Sequence, residues 1–154
     1  MEINDLLTTE CVVANLHATS KKQAIQDLAK KAADITGLHE RAIFEVLMER
    51  ERLGTTGVGN GIAIPHGKLA NLDKLYGLFA RLEKPIDFQS IDEQPVDLIF
   101  LLLAPETAGA DHLKALARVS RLLRDKTVCD KLRGTEQPEA LYALLTDEAT
   151  HQAA

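Results

Sequence analysis

Val96–Ala104, reading VDLIFLLLA, is the most hydrophobic run in the chain, and Pro105 closes it. A helix between Pro95 and Pro105 would be short. A run that is apolar at nearly every position, rather than at every second one, fits a strand covered on both faces. Such a strand needs an apolar layer on each side, and the rest of the chain supplies helices for the purpose. Ser20 opens one in capping-box spacing with Gln23, its apolar positions Ile25, Leu28, Ala29, Ala32 and Ile35 recur at helical intervals, and Gly37 closes it. A second runs from about Glu40, with Ile43, Val46 and Leu47 on one face, and ends at Arg52–Leu53 before Gly54. Asp111 is placed to cap a third, followed by Leu113, Leu116, Ala117, Ser120 and Leu123. Thr127–Leu132 forms a short fourth, and Thr135 or Gln137 caps a fifth with Pro138 in its first turn. Cys11–Leu16 and Tyr76–Leu82 read as further strands, and Pro85, Asp87 and Gln89–Pro95 as loop. The spacing predicts an α/β fold: one domain over 1–154, a three-layer sandwich with a mixed sheet and helices on both faces, its last residues from about 145 a frayed tail.

The stretch Glu49–Lys68, ERERLGTTGVGNGIAIPHGK, has a different character. Gly54, Gly57, Gly59 and Gly61 allow backbone conformations that other residues avoid. Ile62, Ala63 and Ile64 then make a short strand that stops at Pro65 and delivers His66 to its rim, with a second turn at Gly67. Arg50 and Arg52 stand in the last turn of the preceding helix, a place that suits cations through the helix dipole alone. If this short strand lies beside Val96–Ala104, the loops that follow both strands share one rim. His112, at the start of the helix opened by Asp111, then meets His66.

Two imidazoles, an arginine and glycine-rich backbone suit one chemistry above others. A neutral imidazole is a nucleophile near pH 7, and a ring nitrogen can take a phosphoryl group. The charged product needs N–H and O–H donors, which the backbone, Thr55 or Thr56, the guanidinium and the second imidazole can supply. The patterns of other chemistries are missing. There is no G-x-x-x-x-G-K-[ST] loop, no G-x-G-x-x-G, no H-E-x-x-H and no G-x-S-x-G. A zinc site would need His66 and His112 to meet a carboxylate by accident of fold. His17, His39 and His151 read as solvated. A net charge of −5 argues against a general binder of nucleic acid or anionic membrane, and no apolar run is long enough to span a bilayer. Cys11 and Cys129 are isolated and read as reduced, partly buried thiols; with an acidic start unlike a signal peptide, they point to the cytoplasm.

The run Arg50–Lys68 resembles the active-site region of the enzyme IIA domains of the bacterial phosphotransferase system, in the mannitol/fructose superfamily, and within it the nitrogen-regulatory branch. Gln94–Leu98, His112-Leu113 and Leu141-Tyr142 have counterparts in the same order, so the resemblance covers about Ile3 to Leu145. It implies a phosphocarrier. A phosphorylated histidine carrier protein would hand its phosphoryl group to His66, at Nε2. Arg50 would help hold the phosphoryl oxygens or the donor, and His112 would hydrogen-bond the phosphoryl group or orient His66. One of Thr55 and Thr56 would contribute a hydroxyl, and Gly67 would keep the turn open for the partner. The resemblance implies no metal or nucleotide cofactor. It also implies that phosphorylation state controls bound proteins, such as potassium-transport or sensor-kinase components. The alternatives are a sugar-specific enzyme IIA on a separate chain, and a protein-binding module without phosphotransfer.

Overall fold

The computed structural model describes residues 1–147. A six-stranded mixed sheet runs in the order β1-β5-β6-β3-β2, with β4 also on β6. Its strands are β1 (Val12–Leu16), β2 (Gly57–Gly59), β3 (Ile62–Ala63), β4 (His66–Leu69), β5 (Tyr76–Ile86) and β6 (Val96–Pro105). The helices among the described residues are α1 (Lys21–Thr36), α2 (Glu40–Arg52), α3 (Ala110–Arg124), α4 (Lys126–Arg133) and α5 (Pro138–Thr146). The pair α1–α2 packs together over β5 and β4, and α3, α4 and α5 form a second group against β6 and β1. This is the expected three-layer α/β sandwich, with helices on both faces.

β6 is the spine of the sheet. From Leu98 to Ala104 every residue is buried to within 1% of complete, because β5 lies antiparallel on one edge and β3 and β4 lie parallel on the other. Phe79 and Phe100, paired across β5 and β6, meet edge to face with ring centroids 6.4 Å apart. The charge at the far end of the sheet is also housed. Arg81 is buried and spends its guanidinium on carbonyls, donating to Arg133 O at the end of α4 and to Ala14 O. Arg133 in turn pairs with Asp97 at 2.9 Å and donates to Asn60 O at 2.7 Å, tying α4 to the β2–β3 hairpin.

Several local expectations are corrected. Pro65 interrupts the short strand only briefly. β6 continues past it, Leu102 N donates to Pro65 O at 2.9 Å, and His66–Leu69 then pairs with Leu102–Pro105. His66 therefore begins a strand, and Gly67 lies within that strand rather than in a turn. The hairpin joining β2 to β3 turns on Asn60 (φ 57°) and Gly61 (φ 80°), the Asn-Gly signature of a two-residue turn. β5 runs through Pro85 to Ile86, with the proline at an irregularity in its pairing to β6, where a missing N–H is tolerated. Asp111 does not cap α3. The turn Pro105–Ala108 lets the helix start from Gly109 (φ 55°), so Asp111 falls in the first turn, where its charge still suits the dipole. Asp125, unforeseen, caps α4 by accepting from Thr127 N and Val128 N. Gln23 folds back to Thr19 N, one residue before the Ser20 cap. Leu145 and Thr146 belong to α5 and Asp147 is its C-cap; the remainder of the expected tail, 148–154 with His151, lies outside the described residues.

Candidate active site

His66 stands where the sheet, α2 and α3 converge. In β4 it lies opposite Leu102, half-buried, and two contacts fix its ring. Nδ1 lies 2.9 Å from the Ile64 carbonyl, which can only accept, so Nδ1 carries the proton. On the other side of the ring, Arg50 Nε donates to Nε2 at 3.2 Å, which requires a lone pair there. Both contacts select one tautomer, with Nε2 free as a nucleophile. Burial is the main cause holding the His66 pKa below its usual 6.5; the Ile64 carbonyl opposes this, Arg50 adds to it and Glu51 opposes it. The ring is thus kept neutral.

The second imidazole is present as expected. The His66 and His112 rings have centroids 5.7 Å apart, tilted by 51°. His112 is 7% exposed, and its Nδ1 is buried without a hydrogen-bond partner. Burial first, then His66 and Lys68, lowers its pKa. Parallel pairing of β3 and β4 with β6 is what brings these histidines to one rim. Arg50, in the last turn of α2, also donates through Nη1 to Gly54 O at 2.8 Å, which anchors the guanidinium.

Gly67 sets how closely α2 approaches the strand. A Cβ on it would lie 2.5 Å from Val46 Cγ1, and Val46 is one turn before Arg50 on the same helix. A β-branched side chain in a helix has little rotamer freedom with which to yield. Gly67→Ala is therefore expected to push α2 outward, costing on the order of 1–3 kcal/mol, and to carry Arg50 away from His66. Adding Val46→Ala should restore both the melting temperature and the Arg50–His66 contact. If the double variant is no better than Gly67→Ala, the spacing argument fails.

The hydroxyls of the candidate threonines are engaged within the protein. Thr55 Oγ1 donates to Phe88 O and accepts from Gly57 N, while Thr56 Oγ1 donates to Glu51. Glu51 is the residue that sequence reasoning missed. It is buried, accepts from Thr56 N at 2.9 Å and pairs with Lys21 at 2.9 Å. A signal was available, since Glu51 continues the buried i, i+4 stripe of Ile43 and Leu47, where a carboxylate is out of place. Among the described residues, no group of three or more His, Cys, Asp or Glu is placed to hold a metal ion.

Comparison with known proteins bears on the family and the fold. The family model for the phosphoenolpyruvate-dependent sugar phosphotransferase system, EIIA 2, matches residues 5–148. A nitrogen regulatory protein of Bradyrhizobium diazoefficiens is 62% identical over 145 residues, spanning 94% of this chain and 95% of its own. The crystal structure of nitrogen regulatory protein IIA-Ntr from Neisseria meningitidis superposes with a TM-score of 0.89 at 34% identity, over 94% of this chain and 99% of that one. The crystal structure of IIA mannitol from Escherichia coli shares the fold, with a TM-score of 0.78 at 20% identity over 90% of this chain and 98% of its own.

Proposed function

Since the chain belongs to the EIIA 2 family of the phosphoenolpyruvate-dependent sugar phosphotransferase system, we propose that it carries a phosphoryl group on Nε2 of His66, taken from a phosphohistidine carrier protein, and regulates partner proteins according to that state. One observation carries the reading: an imidazole whose Nδ1–H is held by a backbone carbonyl and whose Nε2 lone pair faces a guanidinium beside a second imidazole. In the transfer, the Nε2 lone pair attacks phosphorus as the donor's N–P bond breaks, and the donor imidazole takes back that electron pair. The Nδ1 proton stays on His66 against Ile64 O, so the phosphorylated ring is cationic and remains a good leaving group for the next transfer. Attack consumes the lone pair that Arg50 Nε faces, which frees that N–H for the phosphoryl oxygens. His112 supplies a further N–H to them. Catalysis rests on position and charge stabilisation. In this reading Thr55, Thr56 and Gly67 shape the loop and strand around the phosphoryl group.

Among the described residues, four of the five large exposed hydrophobic side chains lie on or beside these elements. Leu53 follows α2, Val58 is on the hairpin, Ile91 donates its N–H to Gly57 O, and Leu113 adjoins His112. They form the surface on which the donor docks. The 62% identity to a nitrogen regulatory protein favours the regulatory branch over a sugar-specific enzyme IIA. Among the described residues no helix is long and apolar enough to cross a membrane.

The direct test is intact-mass measurement after incubation with a phosphorylated histidine carrier: one acid-labile phosphoryl group is expected. No label from a competent donor would sink the proposal. For His112→Ala, acceptance should slow by roughly 10- to 100-fold without stopping, since this ring assists and is not attacked. Unchanged single-turnover kinetics would leave His112 as packing.

A further inference from the structure

Neither Glu51 nor Lys21 hydrogen-bonds His66 directly, yet a continuous series of hydrogen bonds joins them to it. The Glu51 side chain is 3% exposed and that of Lys21 12% exposed, with Lys21 Nζ 2.9 Å from Glu51 Oε1. The same carboxylate accepts from both the backbone N–H and the hydroxyl of Thr56, itself 4% exposed. Thr56 O accepts from Ile64 N at 3.0 Å, and Ile64 O accepts from His66 Nδ1 at 2.9 Å. Each link leads to the next without a gap.

We propose that Glu51 is a positioning residue for phosphoryl acceptance: charge-paired with Lys21, it fixes Thr56, and through Thr56 and Ile64 it fixes the tautomer and direction of the His66 imidazole. The catalytic part of this rests on His66 being the phosphoryl acceptor; the tautomer part does not.

The physical need is specific. The segment from Gly54 to Gly61 contains four glycines and is costly to order. Its carbonyls hold a useful geometry only if something anchors them. A carboxylate with several lone pairs can hold two donors of one residue at once, which a neutral side chain does less well. Lys21, 2.9 Å away, gives that carboxylate an ion-pair partner in a buried place, where an unpaired charge would be expensive. The last link ends on a carbonyl that precedes Pro65. That carbonyl meets the ring at 2.9 Å. Arg50 precedes Glu51 in the chain and meets the other ring nitrogen, so adjacent residues of α2 act on both nitrogens of His66, one directly and one through Thr56 and Ile64.

The test reads the imidazole itself. In wild type, nitrogen-15 spectra of the His66 ring are expected to show the Nδ1–H tautomer alone. In Glu51→Gln and in Thr56→Val the ring should become a tautomer mixture, whereas Thr56→Ser should retain the wild-type ring spectrum. For Glu51→Gln the rate of phosphoryl acceptance should fall roughly 10- to 100-fold, with the donor KM within about twofold of wild type. A folded Glu51→Gln variant with the wild-type tautomer would overturn the proposal. Should that variant not fold, Thr56→Val, which keeps the Glu51–Lys21 pair, decides by the same spectrum. If wild type accepts no phosphoryl group while the tautomer responds as stated, the proposed function fails and the positioning role of Glu51 toward the ring stands.

Discussion

His66→Ala is expected to accept no phosphoryl group at all from a phosphorylated histidine carrier, while remaining folded. The expectation is absolute because neither His112 nor the two threonines can take over as nucleophile. His112 is nearly closed off from solvent, and both threonine hydroxyls donate to internal acceptors. The fold should survive because His66 lies half-buried at the start of a strand. Its removal costs the Ile64 and Arg50 hydrogen bonds, about 1–3 kcal/mol together, and no core contact of the kind that Phe100 or Leu102 makes. Intact-mass analysis beside a melting curve separates the two claims. A folded variant that still labels stoichiometrically would remove His66 from its role. The wild-type pH profile supplies an independent check. The nucleophile is the neutral ring, and its folded-state pKa is lowered below the usual 6.5, chiefly by burial. Acceptance should therefore stay flat as pH falls through that value and decline only below it. A decline centred at or above the ordinary histidine pKa would mean that the ring is not shielded as described.

The parts of this molecule that were legible in sequence are those fixed by local pattern. The run Val96–Ala104 declared a strand covered on two sides, and the helices announced themselves by period and by Ser20, Gly37 and Pro138 at their ends. The meeting of His66 and His112 was legible one step further on. It required only that the two strands be parallel neighbours, which right-handed crossover connections make common. What escaped is what pairing creates. β4 carries no strand signal of its own; a proline and a glycine flank its histidine, and it is extended because β6 offers an unpaired edge. β2 is similarly short, and two of its three residues are glycine. Glu51 escaped for a different reason. Its partners Lys21 and Thr56 come from separate segments, and only the fold reveals that a charge on the apolar stripe is paired. Gly67 was expected to keep a turn open for a partner; it lies instead inside β4, and the neighbour that a Cβ there would meet is Val46 on α2.

Arg50→Ala should produce the second-largest loss, a fall of roughly 10²- to 10³-fold in the rate of acceptance, comparable to deleting a main donor to a transition-state charge. Two features of the geometry argue for so large an effect from one side chain. The guanidinium is held in place by Gly54 O at 2.8 Å, so little ordering remains to be done when phosphoryl oxygens arrive. Its Nε–H already points at the reacting nitrogen, 3.2 Å away, and the attack itself releases it. Arg50→Lys should recover only a small part of the loss. A compact ammonium supplies charge, but it cannot hold Gly54 O and face Nε2 through a planar fork at the same time. The two substitutions also differ in what they do to the ring. Arg50 is one of the charges that lower the His66 pKa, so Arg50→Ala raises it and moves the acid limb of the pH profile upward, while Arg50→Lys keeps a cation nearby and moves it less. Rapid-quench transfer kinetics across pH would show both effects. If Arg50→Ala transfers within about twofold of wild type at every pH, the arginine serves only to close the end of α2, and the stabilisation of the phosphoryl group must come from the backbone and His112.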